Sequence, residues 1–245
     1  MKILIKLLVS IKHVDELEDA IYGGADIIDI KDPSKGSLGL PDFEILKNIV
    51  TKIKDLNTNN NIEISVAGGD IKSYDYSLKY IAYVVASLNI NYFKIGLAML
   101  SRDLAEFISK EISKVLKLFN ITKLVLVGYA DYSRIESIEP LEIINIAKNV
   151  RANVVMIDTY IKDGKSTFNF LSKNYLQEFV KEAHRRGLLT ALAGSLKKQH
   201  ISNAIKLGFD IIGVRGAVCK GNRRGFISKE LVEELKRSIK HYSLF

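Results

Sequence analysis

Short apolar runs alternate with longer amphipathic segments along the whole chain. The apolar runs are rich in β-branched residues, which is typical of buried strands. The segments between them repeat their apolar residues every three to four positions, which is typical of helices. The predicted strands are Ile3–Ser10, Ile27–Lys31, Ile62–Ala67, Tyr92–Leu97, Lys123–Gly128, Asn153–Asp158, Leu188–Ala193 and Ile211–Arg215. The predicted helices are Val14–Tyr22, Phe43–Lys54, Asp75–Ala86, Asp103–Leu118, Leu141–Asn149, Asn174–Arg186, Lys197–Leu207 and Lys229–Lys240.

This alternation gives eight strands, each followed by a helix. Strictly alternating strands and helices indicate a parallel sheet. Eight such units in 245 residues fit one α/β domain, a (β/α)8 TIM barrel over residues 1–245. A doubly wound open sheet is the alternative, but it usually carries a G-x-G-x-x-G turn after its first strand, and this sequence has none. Asp70 and Ser73 precede the third helix and are interpreted as its capping residues.

Composition narrows the class of protein. A single cysteine, Cys219, excludes an intrachain disulfide and fits a reducing cytoplasm. The four histidines show neither HxH nor HExxH spacing, so no metal site is expected. The apolar N-terminal run is short and interrupted by Lys6 and Lys12, which predicts a first strand and no membrane span.

The formal net charge of +8 leaves three interpretations open. A lysine-rich solvated surface is the simplest, and an anionic small-molecule substrate is the second. Nucleic acid is the third, but the charge is spread along the chain without a recognisable RNA- or DNA-binding motif. We therefore expect no nucleic-acid partner, and the sequence is compatible with a homo-oligomer.

Charged residues gather where the even-numbered strands end. Asp29 and Lys31 lie on the second strand, two residues apart and so on one face, Lys94 lies on the fourth, and Asp158 ends the sixth. Side chains of alternate strands share a layer inside a barrel of this type, so these four are expected to meet at its mouth. Two alternatives stay open: the lysines extend to solvent between strand and helix, or the pairs are structural.

A buried amine beside another cation has a lowered pKa and can attack a carbonyl group. The iminium that results acidifies the adjacent carbon, and a second lysine with two carboxylates can then transfer protons. After the fifth strand come Tyr129 and Asp131, and the segment Lys162–Lys165 follows the sixth. These residues predict lysine chemistry on a carbonyl substrate.

The last two strands indicate a phosphate group on that substrate. Turns after the seventh and eighth strands of a barrel frequently bind phosphate through backbone N–H groups. The predicted phosphate-binding residues are Gly194, Ser195, Gly213, Arg215 and Gly216. Ordinary strand-to-helix turns are the alternative. The segment Cys219–Gly225 adds positive charge beside them.

The longer motifs resemble a known family. The chain is similar to the (5-formylfuran-3-yl)methyl phosphate synthases, also called 4-(hydroxymethyl)-2-furancarboxaldehyde-phosphate synthases, which serve methanofuran biosynthesis in methanogenic archaea. The resemblance lies in GGADIIDIKDPSKGSLG (23–39), YFKIGL (92–97), GYADYSR (128–134), IDTYIKDGK (157–165), ALAGSLKKQHI (191–201) and GVRGAVCKG (213–221). The chain departs from the usual pattern at Asp32-Pro33, where Asn-Pro is more common, in SVAGGD of the third strand, and in a short loop Lys220–Arg224.

The resemblance implies a phosphate-eliminating lyase that condenses two molecules of glyceraldehyde 3-phosphate to a furan aldehyde, without a metal or an organic cofactor. By position, Lys31 would form the Schiff base and Lys94 would transfer protons. Asp29, Asp158 and Lys162 would complete the site. Two other functions stay open: a class I aldolase for another phosphorylated sugar, and a non-catalytic barrel that binds a phosphate ligand or RNA.

Overall fold

Eight parallel strands close into a barrel in the order of the chain, and the eighth pairs with the first. The computed structural model describes residues 5–56 and 62–242. The strands are β1 Lys6–Ile11, β2 Ile27–Ile30, β3 Glu63–Ile71, β4 Tyr92–Leu97, β5 Lys123–Tyr129, β6 Val154–Asp158, β7 Leu189–Leu192 and β8 Ile211–Val214. The helices are α1 Leu17–Tyr22, α2 Phe43–Leu56, α3 Ser77–Ser87, α4 Arg102–Leu116, α5 Pro140–Val150, α6 Lys173–Arg185, α7 Ile201–Lys206 and α8 Lys229–Tyr242.

The predicted (β/α)8 barrel is confirmed, and most strand predictions agree within one or two residues. The predicted start of the first strand, Ile3, lies outside the described residues. The clearest difference is β3, which was predicted to end at Ala67 but continues to Ile71. Its pairing with β4 shifts register between Ala67 and Asp70, at the two glycines of SVAGGD. The register shift lets the strand continue past the glycines, so Asp70 lies in the strand and does not cap α3.

Two helices also differ from their predictions. The first turn of the predicted helix at Val14 is a 3-10 turn, and α1 begins at Leu17. The helix predicted from Lys197 begins at Ile201, after another 3-10 turn at Lys198–His200. Both changes follow a strand end at the mouth of the barrel. No helix in the described ranges is long and apolar enough to cross a membrane.

Inside the barrel, apolar side chains fill the half near the amino ends of the strands, and polar side chains fill the half near the carboxyl ends. The interior cluster includes Leu8, Ile27, Tyr92, Val154 and Ile211, all near the beginnings of their strands. A larger apolar cluster lies outside, between strands and helices. The polar end of the interior is therefore the carboxyl end of the strands, where barrels of this type place their chemistry.

Candidate active site

Asp29 and Lys94 form an ion pair inside the barrel. The Lys94 Nζ lies 2.6 Å from Asp29 Oδ1, and both side chains are almost fully buried. Ser10 of β1, the register partner of Asp29, donates its hydroxyl to Asp29 Oδ2 at 2.7 Å. Burial opposes ionisation of Asp29, but Lys94, Lys31 and the hydrogen bonds outweigh it and hold its pKa below the ordinary value. Asp29 is therefore a buried carboxylate, held on both oxygens.

Lys31 follows β2 directly and has a different environment. Its Nζ donates to the backbone oxygen of Ser37 at 3.3 Å, a long hydrogen bond. Burial lowers the pKa of Lys31 to about 8, and the attraction of Asp158 and Asp29 offsets only part of that effect. About a tenth of the amine is then unprotonated at pH 7, compared with less than about a thousandth for an ordinary lysine. Lys31 is thus a buried amine suited to nucleophilic attack.

Asp158 and Lys162 form a second ion pair, and both act electrostatically on Lys31. Lys162 Nζ donates to Asp158 Oδ1 at 2.6 Å, and the backbone N–H of Thr159 donates to the same oxygen at 2.7 Å. Burial opposes ionisation of Asp158, but Lys162 and Lys31 lower its pKa below the ordinary value. Asp131 accepts from two backbone N–H groups of the loop after β6, at 2.7 and 2.9 Å. Asp131 therefore positions the loop that carries Lys162.

The loop between β2 and α2 is fixed by Asp70. The Asp70 carboxylate accepts from the backbone N–H of Ser37 at 2.8 Å and from the buried Tyr129 hydroxyl. Ser37 in turn donates its hydroxyl to the Thr159 carbonyl at 2.9 Å. Burial, with the negative charge of Asp70, raises the pKa of Tyr129 well above its ordinary value, so the phenol stays protonated as a donor. Asp70 therefore holds the carbonyl that contacts Lys31, a role that sequence reasoning missed.

A cleft of about 390 Å³ lies at the barrel mouth. That volume lies within the range of small-molecule sites. The cleft is lined by Lys31, Lys94, Asp158 and Lys162, together with the turns after β7 and β8. Of the predicted catalytic residues, four therefore reach the cleft directly, and the fifth, Asp29, is buried behind Lys94.

Four of the predicted phosphate-binding residues line the cleft: Gly194 and Ser195 follow β7, Gly213 lies within β8, and Gly216 follows β8. Gly194 has a φ of +92°, and a side chain there would collide with the Thr167 hydroxyl. Within residues 5–56 and 62–242, neither Ser195 nor Gly216 donates its backbone N–H to a protein acceptor. These N–H groups are available to an anion.

Arg215 does not fit its predicted role. Its five guanidinium N–H groups donate to the Glu16 carboxylate and to the backbone carbonyls of Ser10, Arg223 and Gly225. Glu16 and Arg215 are both buried, and their closest contact is 3.0 Å. With every donor bound to the protein, the guanidinium has none left for phosphate. Arg215 instead anchors the loop after β8, and Glu16, in the turn before α1, was not predicted to take part.

In the part of the chain that the structure describes, no group of three or more His, Cys, Asp or Glu side chains is arranged to hold a metal ion. Among the described charged residues that line the cleft, Asp158 is the one carboxylate and the others are lysine or arginine.

Comparison with known proteins points to one family. Residues 7–236 match the family described as 4-HFC-P synthase. A protein of Methanocaldococcus jannaschii named (5-formylfuran-3-yl)methyl phosphate synthase is 42% identical over 238 residues, which are 96% of this chain and 99% of that protein. A protein of Methanosarcina barkeri with the same name is 41% identical over 94% of this chain and 97% of its own length.

Solved structures share the fold at low sequence identity. A 3-hexulose-6-phosphate synthase from Salmonella typhimurium superposes with a TM-score of 0.66 at 12% identity, covering 97% of this chain and 100% of that chain. KGPDC from Streptococcus mutans gives a TM-score of 0.66 at 12% identity, with coverage of 97% and 98%. At these identities the likeness shows the barrel and nothing finer.

Proposed function

The chain belongs to the 4-HFC-P synthase family, and from that premise we propose that it makes (5-formylfuran-3-yl)methyl phosphate for methanofuran biosynthesis. The proposed substrate is glyceraldehyde 3-phosphate, of which two molecules condense. The proposed reaction class is a carbon–oxygen lyase that eliminates phosphate. The observation that carries the proposal is Lys31, a buried amine with a pKa of about 8 that lines the same cleft as the β7 and β8 turns.

The first proposed step is attack of the Lys31 amine on the carbonyl carbon of one triose phosphate. The carbon–nitrogen bond forms, the carbonyl oxygen leaves as water, and a positively charged iminium remains. The iminium withdraws electrons from its neighbouring carbon, which then exchanges protons more readily. Backbone N–H groups of Ser195 and Gly216 would hold the phosphate of this molecule.

The second proposed step joins the two trioses and removes oxygen. One molecule loses its phosphate by carbon–oxygen cleavage, and the carbon skeletons join. Two molecules of water leave as the ring closes and becomes aromatic. A further water hydrolyses the carbon–nitrogen bond of the iminium, which frees Lys31 and returns the water that was released when the iminium formed. The atoms of two trioses then equal those of the product, one phosphate and two waters, so the sequence needs no oxidant or reductant.

Each of these steps needs proton transfer, and two pairs flank Lys31. Lys94, in contact with Asp29, would move protons from the barrel interior. Lys162, in contact with Asp158, would do so from the loop after β6. Removal of hydroxyl groups as water requires an acid, and both ammonium groups can serve.

The test is incubation of the purified protein with glyceraldehyde 3-phosphate, with and without a chelator. We expect near-ultraviolet absorbance of a furan aldehyde to rise together with free phosphate, at the same rate in both samples. Sodium borohydride added during turnover should reduce the iminium and leave a stable adduct on Lys31, which peptide mass spectrometry locates.

Two results would contradict the proposal and separate its alternatives. An adduct on Lys31 without a furan would indicate a class I aldolase for another phosphorylated sugar. Neither adduct nor furan from folded protein would indicate a non-catalytic barrel, whose ligand binding should weaken steeply with salt if that ligand is RNA.

A further inference from the structure

A second cavity of about 750 Å³ adjoins the first at the barrel mouth. It lies between the loop after β2 and the loop after β8. Its lining residues are Lys12, Asp32, Pro33, Ser34, Lys162, Asn222, Arg223 and Arg224. Lys162, Asn222 and Arg223 also line the cleft that contains Lys31, so the two spaces are contiguous.

The walls of the second cavity are basic, although one of the basic residues, Lys162, is paired with Asp158. Four of its lining residues are lysine or arginine, and Asp32 is the one acid among them. The Asp32 carboxylate is already occupied, since it accepts from the Ser34 hydroxyl at 2.6 Å and lies 3.3 Å from Lys35 Nζ. Its charge therefore opposes a bound anion less than an unpaired carboxylate would. The cavity has the charge expected of a site for a dianion.

Arg223 stands at the boundary between the two spaces without a partner for its side chain. The residue is half-buried, yet its guanidinium makes no hydrogen bond or ion pair with any residue the structure describes. Burial lowers the pKa of this guanidinium, and the attraction of Asp158 offsets only part of the effect. A bound anion would accept hydrogen bonds from guanidinium donors that no described residue takes up.

The backbone holds Arg223 in this position. Its carbonyl accepts from Arg215 Nε at 2.9 Å, and the next carbonyl, that of Arg224, accepts from Lys12 Nζ at 2.6 Å. Arg215 is itself fixed by the buried Glu16. The loop is therefore anchored through its main chain, which leaves the Arg223 side chain available.

We propose that the second cavity binds the second triose phosphate, and that Arg223 holds the phosphate group that this molecule loses. The inference rests on the proposed function, which requires two phosphorylated substrates and releases one phosphate. Two dianions in one cleft repel each other, and a separate basic cavity keeps them apart. Arg223 and Lys162 would also stabilise the negative charge that develops on the leaving phosphate.

The test compares Arg223→Ala with wild-type protein in two assays. The first is borohydride trapping of dihydroxyacetone phosphate, the ketone isomer of the triose, on Lys31; it needs only one substrate molecule. The second is furan formation from glyceraldehyde 3-phosphate, which needs both. We expect trapping to change less than about twofold and furan formation at low substrate to fall about 100-fold. Arg223→Lys should be intermediate, since a lysine keeps the charge but loses the planar fork.

Arg237→Ala, which removes an exposed arginine on α8, is the matched control and should match wild type in both assays. Furan formation that is unchanged in Arg223→Ala would overturn the inference. Equal loss of trapping and furan formation would also overturn it, because Arg223 would then bind the first molecule. Wild-type protein that gives neither adduct nor furan would contradict the proposed function itself, and the inference would fall with it.

Discussion

The surroundings of Lys94 and Lys31 differ although both lysines are buried at the same end of the barrel. Lys94 lies 2.6 Å from a carboxylate that a second side chain also supports. Among the residues that the structure describes, Lys31 donates one long hydrogen bond, to a backbone carbonyl, and burial lowers its pKa to about 8. Lys94 is paired with a carboxylate, whereas burial makes Lys31 lose its proton more easily than an ordinary lysine. The comparison shows how one barrel mouth can place two buried lysines in different electrostatic surroundings, as the proposed division into acid and nucleophile requires.

Replacing the nucleophile should have the largest effect. We expect Lys31→Ala to lower furan formation by about 10⁴-fold or more, since the amine that forms the iminium is removed. Steady-state rates and the loss of the borohydride adduct measure the effect. Circular dichroism should be unchanged, and Lys47→Ala, an exposed change on α2, should leave the rate at the wild-type value. A fully active Lys31→Ala protein would contradict the role of Lys31.

Breaking the paired lysine should affect both stability and rate. Lys94→Met leaves the Asp29 carboxylate buried without its main partner, so the free energy of unfolding should fall by about 3–5 kcal/mol. The rate should fall about 10²–10⁴-fold through loss of proton transfer. Urea unfolding and single-turnover kinetics measure the two effects.

The double variant Asp29→Asn/Lys94→Met separates these effects. It removes both charges, so much of the stability should return while the rate stays low. Recovery of the rate together with stability would show that the pair is structural.

Removing the charge of Lys31 should stabilise the fold. The pKa of Lys31 is about 8 in the folded protein and 10.5 in its ordinary state, so the folded protein binds fewer protons between these values. Stability of the wild type therefore rises with pH in that window. At pH 7 the buried ammonium costs about 3 kcal/mol, and Lys31→Met should raise the free energy of unfolding by about 1–3 kcal/mol. Urea unfolding should show this gain at pH 7 and a smaller gain near pH 10.5; a loss at pH 7 would contradict it.

The smallest effects should be shifts in the pH dependence. The rate of borohydride trapping should rise with pH through about pH 8, following the free amine of Lys31. Asp158 attracts the Lys31 ammonium, so Asp158→Asn should move this rise to lower pH. Lys162 repels the same ammonium, and Lys162→Met should move the rise to higher pH. Shifts in the reversed directions would contradict the assigned electrostatics.

Sequence reasoning predicted the barrel and the meeting of Asp29, Lys31, Lys94 and Asp158, because strand spacing alone fixes which side chains face the interior. It missed the role of Asp70 in fixing the loop after β2. The two glycines before Asp70 indicated the end of the third strand, whereas the strand continues past them after a shift in register. It also assigned Arg215 to phosphate. The sequence gives no sign that Glu16, 199 residues away, takes up two of its donors. Such pairings depend on the closed barrel, and local patterns do not encode them.

The Glu16–Arg215 contact has a consequence for the order of folding. Glu16 lies in the turn before α1, and Arg215 directly follows the last strand. During synthesis the carboxylate emerges long before its partner, and closing so large a loop is slow. The loop that carries Arg223 is anchored by Arg215, so it should be among the last parts of the molecule to form. Closure of the barrel by β8 against β1 spans a similar stretch of chain, so the lysine centre and the second cavity should be completed at about the same stage of folding.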